Sequence, residues 1–146
     1  MGNKVNEMKK VDFSAQFSYA GEDNGVLMAG LADDQYETEK YVLFQKALMP
    51  SREDIELGQD ALHVTLSGKS AYNGIEFVRL MAGELRIGFD QITANLLDSS
   101  RQISITFDHE LAGLDDISNA LARMCSDFTD CRGTTVNNQN EESGRR

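Results

Sequence analysis

AYNGIEFVRLMAGELRIGFD, residues 71–90, is the stretch of sequence that decides the fold. It contains two apolar segments, 76–82 and 84–90, which are hinged on Ala82-Gly83-Glu84. In the second segment the large apolar residues occupy alternate positions: Leu85, Ile87 and Phe89. Alternation with a period of two predicts a strand with one buried face. Because short turns join antiparallel neighbours, the two segments are expected to pair in an antiparallel sheet.

The Asn73-Gly74 pair that precedes these strands is a turn signal, because both residue types tolerate positive φ. From Ile75 onward the chain is predicted to be strand. A second interpretation places Tyr72 on an exposed rim, where its ring and hydroxyl suit a contact with a partner. The two interpretations are compatible, since turns often carry binding residues.

Similar apolar patterns elsewhere predict more strands, at 11–19, 26–31, 41–48, 61–66 and 101–108. The run YVLFQKAL, 41–48, has four apolar residues in its core and predicts a strand covered on both faces. The segment 92–97, ITANLL, is ambiguous between a short helix and a loop. The charged segment 51–60 predicts one helical turn, with Ser51 as the N-cap and Gly58 ending it.

The last element is predicted to be an amphipathic helix. Its apolar residues recur at spacings of three and four: Leu111, Leu114, Ile117, Leu121, Met124 and Phe128. The fold class is therefore α+β, a mainly antiparallel β-meander of about seven strands covered by one C-terminal amphipathic helix. An all-β sandwich with a capping helix is the alternative.

The chain has 146 residues, which is the usual size of one domain. We expect a flexible N-terminus at 1–10, a single domain at 11–130 and a disordered tail at 131–146, where little apolar surface is available to bury. The N-terminal sequence lacks the apolar region of a signal peptide, and no stretch has the ~20 apolar residues of a membrane span. The protein is therefore expected to be cytoplasmic.

Acidic residues outnumber basic ones by 24 to 14, which gives a formal net charge of −10. Such a surface repels nucleic acid and anionic lipid, so neither is expected as a partner. It favours a basic partner or simply solubility, and composition alone leaves both open. The two cysteines, Cys125 and Cys131, lack zinc-site spacing.

No catalytic motif is recognisable in the sequence. The chain has two histidines, His63 in a predicted strand and His109 in the segment FDHE. A metal held by Asp108, His109 and Glu110 is a hypothesis, although consecutive residues of an extended chain point to opposite faces. We expect no enzyme, no catalytic residues, no metal and no cofactor.

One acidic cluster is the strongest functional lead. Eight carboxylates lie between positions 33 and 60, against Lys40, Lys46 and Arg52: Asp33, Asp34, Glu37, Glu39, Glu53, Asp54, Glu56 and Asp60. As a field that steers a basic partner, the cluster predicts partner-binding residues at Asp33, Asp34, Glu37, Glu53, Asp54 and Glu56, together with Tyr72. The cluster splits in two if its loops lie at opposite ends of the intervening strand.

Four segments, YVLFQKAL, IELGQDALHVTL, SAYNGIEFVRL and ELRIGFD, resemble the tenth numbered immunity-protein family of bacterial polymorphic toxin systems. The resemblance covers about residues 12 to 125, and Lys46 departs from the arginine of the family pattern. It implies a small cytoplasmic protein that binds a cognate toxin domain and blocks it without an active site. A small-ligand-binding or regulatory module, with a pocket between sheet and helix, is the alternative. A homodimer is left open, because a meander exposes edge strands that can pair.

Overall fold

A computed structural model describes residues 12–58 and 60–132. Within these ranges the chain forms ten strands in two five-stranded sheets and three helices. The α+β class with mainly antiparallel pairing is confirmed, although the strands number ten rather than about seven. The predicted flexible N-terminus, 1–10, and the tail from 133 onward lie outside the described residues, so the domain boundaries stay predictions.

The first sheet contains the strands predicted from residues 76–90. Its members are β1 (Phe13–Ser14), β7 (Ile75–Met81), β8 (Glu84–Phe89), β9 (Gln102–Thr106) and β10 (Phe128–Asp130). They lie in the order β1-β9-β8-β7-β10. The central strands are antiparallel, and the hinge at Gly83 has φ 87°. The two short edge strands pair in parallel, β1 with β9 and β10 with β7.

The second sheet is a meander in which every strand pairs with its neighbour in sequence. Its members are β2 (Phe17–Asp23), β3 (Val26–Ala32), β4 (Tyr41–Ala47), β5 (His63–Leu66) and β6 (Lys69–Tyr72). All pairings are antiparallel. Two hairpins close through two-residue turns with positive φ at both positions, Asn24-Gly25 and Ser67-Gly68. Such turns match the twist of the strands that they join.

Three features account for the additional strands. The predicted strand 11–19 is divided between the sheets as β1 and β2, and β6 forms in a segment for which no strand was predicted. Phe128 was assigned to the helical stripe but belongs to β10, because the helix ends at Met124 and Cys125 is extended. The Asn73-Gly74 turn was correctly predicted, with φ 59° at Asn73, but it carries the chain from one sheet to the other.

The helices are α1 (Arg52–Glu56), α2 (Gln91–Leu97) and α3 (Leu114–Met124). The ambiguous segment 92–97 is thus helical, because the Asp90 side chain caps it by accepting a hydrogen bond from the Thr93 amide at 2.7 Å. The predicted cap of α1 is present, and Gly58 follows the helix with φ 75°.

One hydrophobic core takes side chains from both sheets and from α3. Phe44 of the second sheet, Ile87 and Ile105 of the first sheet and Leu121 of α3 are all fully buried. The predicted helical stripe from Leu114 to Met124 is confirmed as the buried face of α3. In the second sheet one face supplies these core residues, which leaves the other face directed away from the core.

An ion-pair cluster joins β10 to α3. Asp130 accepts hydrogen bonds from Arg132 Nη2 at 2.7 Å and from Ser118 Oγ at 2.7 Å, and Arg132 also contacts Asp115 at 2.9 Å. The hydrogen bonds from Arg132 hold the pKa of Asp130 at about 2, below its ordinary value of 3.8. The charged form of Asp130 therefore stabilises the folded state.

The stability that Asp130 supplies is expected to depend on pH. Because the pKa is lower in the folded than in the unfolded state, the contribution is fully present above about pH 4 and is lost as the pH falls toward 2. Asp130→Asn should lower the free energy of unfolding by about 1–2 kcal/mol at pH 7. Urea denaturation of the wild-type protein and the variant between pH 7 and pH 2 measures this difference in the free energy of unfolding. A deficit that does not shrink on acidification would contradict the assignment.

Candidate functional site

The face of the second sheet that points away from the core is rich in aromatic and apolar side chains. We call it the outer face, and define it by Phe17, Tyr19, Met28, Tyr41, Leu43, Gln45, His63, Thr65 and Tyr72. Tyr19 and Tyr72 are 44% and 41% exposed, and the other members have intermediate burial. The strand 41–48 was predicted to be covered on both faces, and that prediction is wrong because only Val42 and Phe44 are buried.

Two glycines let large side chains lie along the outer face. A Cβ added at Gly21 would lie 2.8 Å from the hydroxyl oxygen of Tyr19, so the Tyr19 side chain lies over the Gly21 backbone. A Cβ added at Gly30 would lie 2.7 Å from the Val42 carbonyl oxygen and 3.2 Å from Leu43 Cδ1. Glycine at these positions therefore permits close packing of Tyr19 and Leu43 on the sheet.

The loop 33–40 borders one end of the outer face. A groove of about 190 Å³ there is lined by Phe17, Tyr19, Gly30, Leu31, Ala32, Gln35, Thr38, Tyr41, Val42 and Leu43. Gln35 and Thr38 come from the loop, whereas the other residues come from the strands. The floor of this groove is therefore mainly apolar, and its wall is the acidic loop.

Two of the predicted site residues build the loop 33–40. Asp34 accepts hydrogen bonds from the backbone amides of Glu37 at 2.8 Å and Tyr36 at 2.9 Å, which lower the pKa of Asp34. Asp33 accepts one from the amide of Glu39 at 3.0 Å. Glu37 and Glu39 are exposed, and Tyr36 is 86% exposed. These carboxylates fix a loop that presents negative charge and an aromatic ring to solvent.

Helix α1 borders the opposite end of the outer face. A groove of about 290 Å³ there is lined by Val26, Gln45, Lys46, Ala47, Asp54, Ala61, His63 and Tyr72. The rings of His63 and Tyr72 are 4.5 Å apart and tilted by 48°. Burial lowers the pKa of His63, which favours the neutral imidazole at neutral pH. Tyr72 therefore lies on the solvent-facing side of the sheet and lines the same groove as Asp54.

Helix α1 is stabilised by capping hydrogen bonds rather than by burial of its side chains. Ser51 Oγ accepts a hydrogen bond from the Asp54 amide at 3.0 Å, and Asp54 Oδ2 accepts one from the Ser51 amide at 3.1 Å. None of the five helical residues is buried, and Ile55 is 54% exposed. Leu57 and Met49, which flank the helix, are 62% and 91% exposed. This end combines exposed apolar side chains with the carboxylates of Glu53 and Glu56.

The predicted site residues fall into two groups at opposite ends of β4. Asp33, Asp34 and Glu37 precede the strand, whereas Glu53, Asp54 and Glu56 follow it and share their end with Tyr72. Seven strand residues at about 3.3 Å each separate the groups by about 20 Å. The cluster therefore splits in two. The surface between the two groups was not predicted from the sequence. The signal that could have found it is the apolar residues at alternate positions of β2 and β4.

The Asp108-His109-Glu110 segment forms an exposed turn. His109 Nδ1 lies 3.7 Å from Asp108 and His109 Nε2 lies 3.9 Å from Glu110, with all three side chains at least 75% exposed. Among the residues that the structure describes, no group of three or more His, Cys, Asp or Glu side chains is arranged to hold a metal ion. Burial raises the pKa of the Cys125 thiol to about 11, which keeps it protonated.

Comparison with known proteins identifies the family. A family model described as Immunity protein 10 matches residues 14–115. The chain belongs to the Immunity protein 10 family. The matched range contains the whole second sheet, both acidic segments and α1, and it ends in the first turn of α3. Neither a curated protein nor a solved structure matches the chain.

Membership of Immunity protein 10 agrees with the resemblance seen in the four sequence segments and implies a toxin as partner. The Tyr72-Asn73-Gly74-Ile75 segment lies within the matched range. Within residues 12–58 and 60–132, no helix has the length and apolar character needed to cross a membrane.

Proposed function

We propose that this protein binds and neutralises a cognate toxin domain of a bacterial polymorphic toxin system, in the cytoplasm of the cell that produces it. The observation that carries the proposal is the match to Immunity protein 10 over residues 14–115. Inhibition of this kind needs a stable scaffold and a complementary surface, and it needs no catalytic residue of its own.

The partner is proposed to be basic. The formal net charge of −10 favours association with a basic surface, because opposite charges raise the rate of encounter. The proposed contacts are the acidic residues Asp33, Asp34, Glu37, Glu53, Asp54 and Glu56, together with Tyr72. Asp33 and Asp34 act there by shaping their loop, and the exposed carboxylates of Glu37, Glu53 and Glu56 face the partner directly.

A non-catalytic role is supported by the titratable groups that could perform chemistry. His63 lies against Tyr72, and its Nδ1 is 3.4 Å from Gln45 Oε1. The carboxylate that lines the same groove is that of Asp54, whose side chain caps α1. His109 is exposed on a turn, and Cys125 is buried and protonated. The proposal assigns these residues to the scaffold.

Co-expression and capture test the proposal. The toxin domain encoded immediately upstream should be lethal alone and tolerated when this protein is co-expressed, and the purified pair should form a complex. Capture is measured at low salt and at about 0.5 M salt, where screening is much stronger. Weaker capture at high salt supports an acidic interface, and capture that survives indicates an apolar one. No rescue and no capture would contradict the proposal.

One groove favours a second candidate function, a small-ligand-binding or regulatory module. It has a volume of about 230 Å³ and lies where the end of α3 meets the start of β7, with lining that includes Lys46, Asn73, Met124 and Asp127. Pockets for drug-sized ligands usually hold about 300–1,000 Å³, so this groove suits only a small molecule. Thermal stabilisation by a metabolite, without toxin capture, would favour this candidate.

A further prediction is that the protein forms a homodimer through an exposed edge strand. The edge strands of the second sheet are β2 and β6, and α2 packs beside β6. Helix α3 likewise contacts β2, so either edge is a candidate for self-pairing. Sedimentation equilibrium measures the mass directly, and a monomer at all concentrations would contradict self-association.

A further inference from the structure

We infer that the toxin-binding surface is the outer face of the second sheet, with the two acidic segments as separate rims at its two ends. The partner would place apolar or aromatic side chains on the sheet and basic side chains over the loop 33–40 and over α1. This inference rests on the proposed function and specifies the surface that performs it.

The outer face has the composition of an interface core. Tyr19, Tyr72, Met28 and Leu43 supply aromatic and apolar surface on a rigid sheet. Tyrosine and methionine are enriched at interface cores, and tyrosine is frequent among the residues that dominate binding energy. Sheet hydrogen bonds fix the backbone, and the absence of a side chain at Gly21 and Gly30 lets Tyr19 and Leu43 pack close to it. Because this surface is already ordered, little conformational entropy would be lost there when a partner binds.

Both acidic segments are attached to this same face. The loop 33–40 contributes Gln35 and Thr38 to the groove that contains Tyr19 and Leu43. Helix α1 contributes Asp54 to the groove that contains His63 and Tyr72. The separation of the acidic groups is therefore no objection to a single site, because the outer face connects them.

The dimensions fit one interface. A standard interface covers about 800 Å² on each partner, which corresponds to a patch about 30 Å across. The two acidic ends are about 20 Å apart along β4. One toxin domain of ordinary size can thus contact both ends, with the apolar side chains at the centre and the charges at the periphery. This is the usual distribution of an interface core and its polar rim.

The other surfaces compared within residues 12–58 and 60–132 carry only one of the two features. Helix α2 exposes Ile92 and Leu96 at 73% and 57%, but it has no acidic residue in its first turn. The aspartates at its ends are single cap residues, Asp90 and Asp98. The start of α3 is acidic, but Asp115 is engaged by Arg132 and the neighbouring groove of about 450 Å³ contains mainly polar residues. The outer face is the surface where apolar area and flanking negative charge coincide.

Charge-matched variants test the two rims. Glu37→Lys with Glu39→Lys alters the first rim, and Glu53→Lys with Glu56→Lys alters the second, leaving the structural carboxylates Asp34 and Asp54 in place. The control, Glu110→Lys with Asp116→Lys, makes the same change in net charge beside the start of α3, in a groove that shares no lining residue with the outer face.

Each rim variant is expected to weaken the Kd for the toxin domain about tenfold at low salt, whereas the control changes it less than about threefold. The two rim variants combined should weaken it by about a hundredfold, because separated sites are additive. Titration calorimetry measures the Kd, and circular dichroism verifies that each variant is folded. Equal losses in rim and control variants would overturn the inference.

Apolar variants test the centre of the face. Tyr19→Ala and Tyr72→Ala are each expected to weaken the Kd at least tenfold, as truncation of a buried interface tyrosine does. Ile92→Ala on α2 is the exposed apolar control and should leave the Kd unchanged. If the wild-type protein binds toxin while all outer-face variants behave like their controls, the inference fails and the proposed function stands. If the wild-type protein does not bind toxin, the proposed function itself fails.

Discussion

Replacing Gly74 by alanine is expected to lower the free energy of unfolding by about 3 kcal/mol, at the upper end of the usual cost of overpacking. A Cβ added at Gly74 would overlap Thr93 Oγ1 and would lie 2.5 Å from Thr93 Cβ. Thr93 is 3% exposed and belongs to the capped start of α2, so it has little room to move. Urea denaturation of the purified variant measures the loss.

A compensating substitution distinguishes this collision from other causes. Thr93→Gly removes the atoms that a Cβ at position 74 would meet, although glycine inside a helix costs about 1 kcal/mol. The double variant Gly74→Ala/Thr93→Gly should therefore be more stable than the sum of the two single changes implies. Strict additivity would contradict the collision.

Within the Tyr72-Asn73-Gly74-Ile75 segment, Gly74 and Tyr72 have different roles. Gly74 is needed because α2 packs directly on its backbone, where the chain passes between the sheets. Its neighbour Tyr72 instead faces outward at 41% exposure. We therefore expect Gly74 variants to alter stability and Tyr72 variants to alter toxin binding.

Leu121→Ala is expected to lower the free energy of unfolding by about 3–4 kcal/mol, because it removes a buried side chain and leaves a cavity. Leu121 is 0% exposed on the inward face of α3, where this helix meets the second sheet. Asn119→Ala on the exposed side of the same helix is the matched control, and it should change stability by less than about 0.5 kcal/mol.

The Leu121→Ala variant also tests whether a change in stability can occur without a change in toxin binding. At a temperature where Leu121→Ala is fully folded, its Kd for the toxin domain should equal that of the wild-type protein, because α3 packs on the face opposite the outer face. Calorimetric titration checks this equality. Loss of binding by a folded Leu121→Ala variant would indicate that the site includes α3.

The elements with strong periodic patterns could be predicted from the sequence. Alternation in 84–90 correctly gave Leu85, Ile87 and Phe89 as inward residues, and the stripe from Leu114 to Met124 gave the helix. These signals are local, since they depend on which residues share one face of a strand or helix. The cap of α1 was equally readable, because Ser51 and Asp54 bond within one turn.

The division into two sheets was not readable, because it depends on pairing over long sequence separations. Asn73-Gly74 has the same turn chemistry whether the next strand folds back or crosses to another sheet. The parallel pairing of Phe13 with Ile105 joins residues that are far apart in the chain. Short strands such as β6 and β10 also contain too few residues to show a clear alternation.

The candidate site was half visible in the sequence. The acidic residues can be counted in the sequence, so Glu37 and Glu53 were identified as candidates. The distance between them depends on the length of β4, which only the structure gives. Leu43 and Tyr19 looked like core residues, because alternation does not reveal whether the second face of a strand is covered. Only the sheet order shows that these residues lie between the acidic ends.

Carboxyl labelling of the complex is the most direct measurement of the central claim. Exposed carboxylates are modified with a carbodiimide and an amine, with and without the toxin domain, and modification is located by mass spectrometry. The account predicts that labelling of Glu37, Glu39, Glu53 and Glu56 falls in the complex, while labelling of Asp108, Glu110 and Asp116 does not change. Protection of the second set without the first would contradict it.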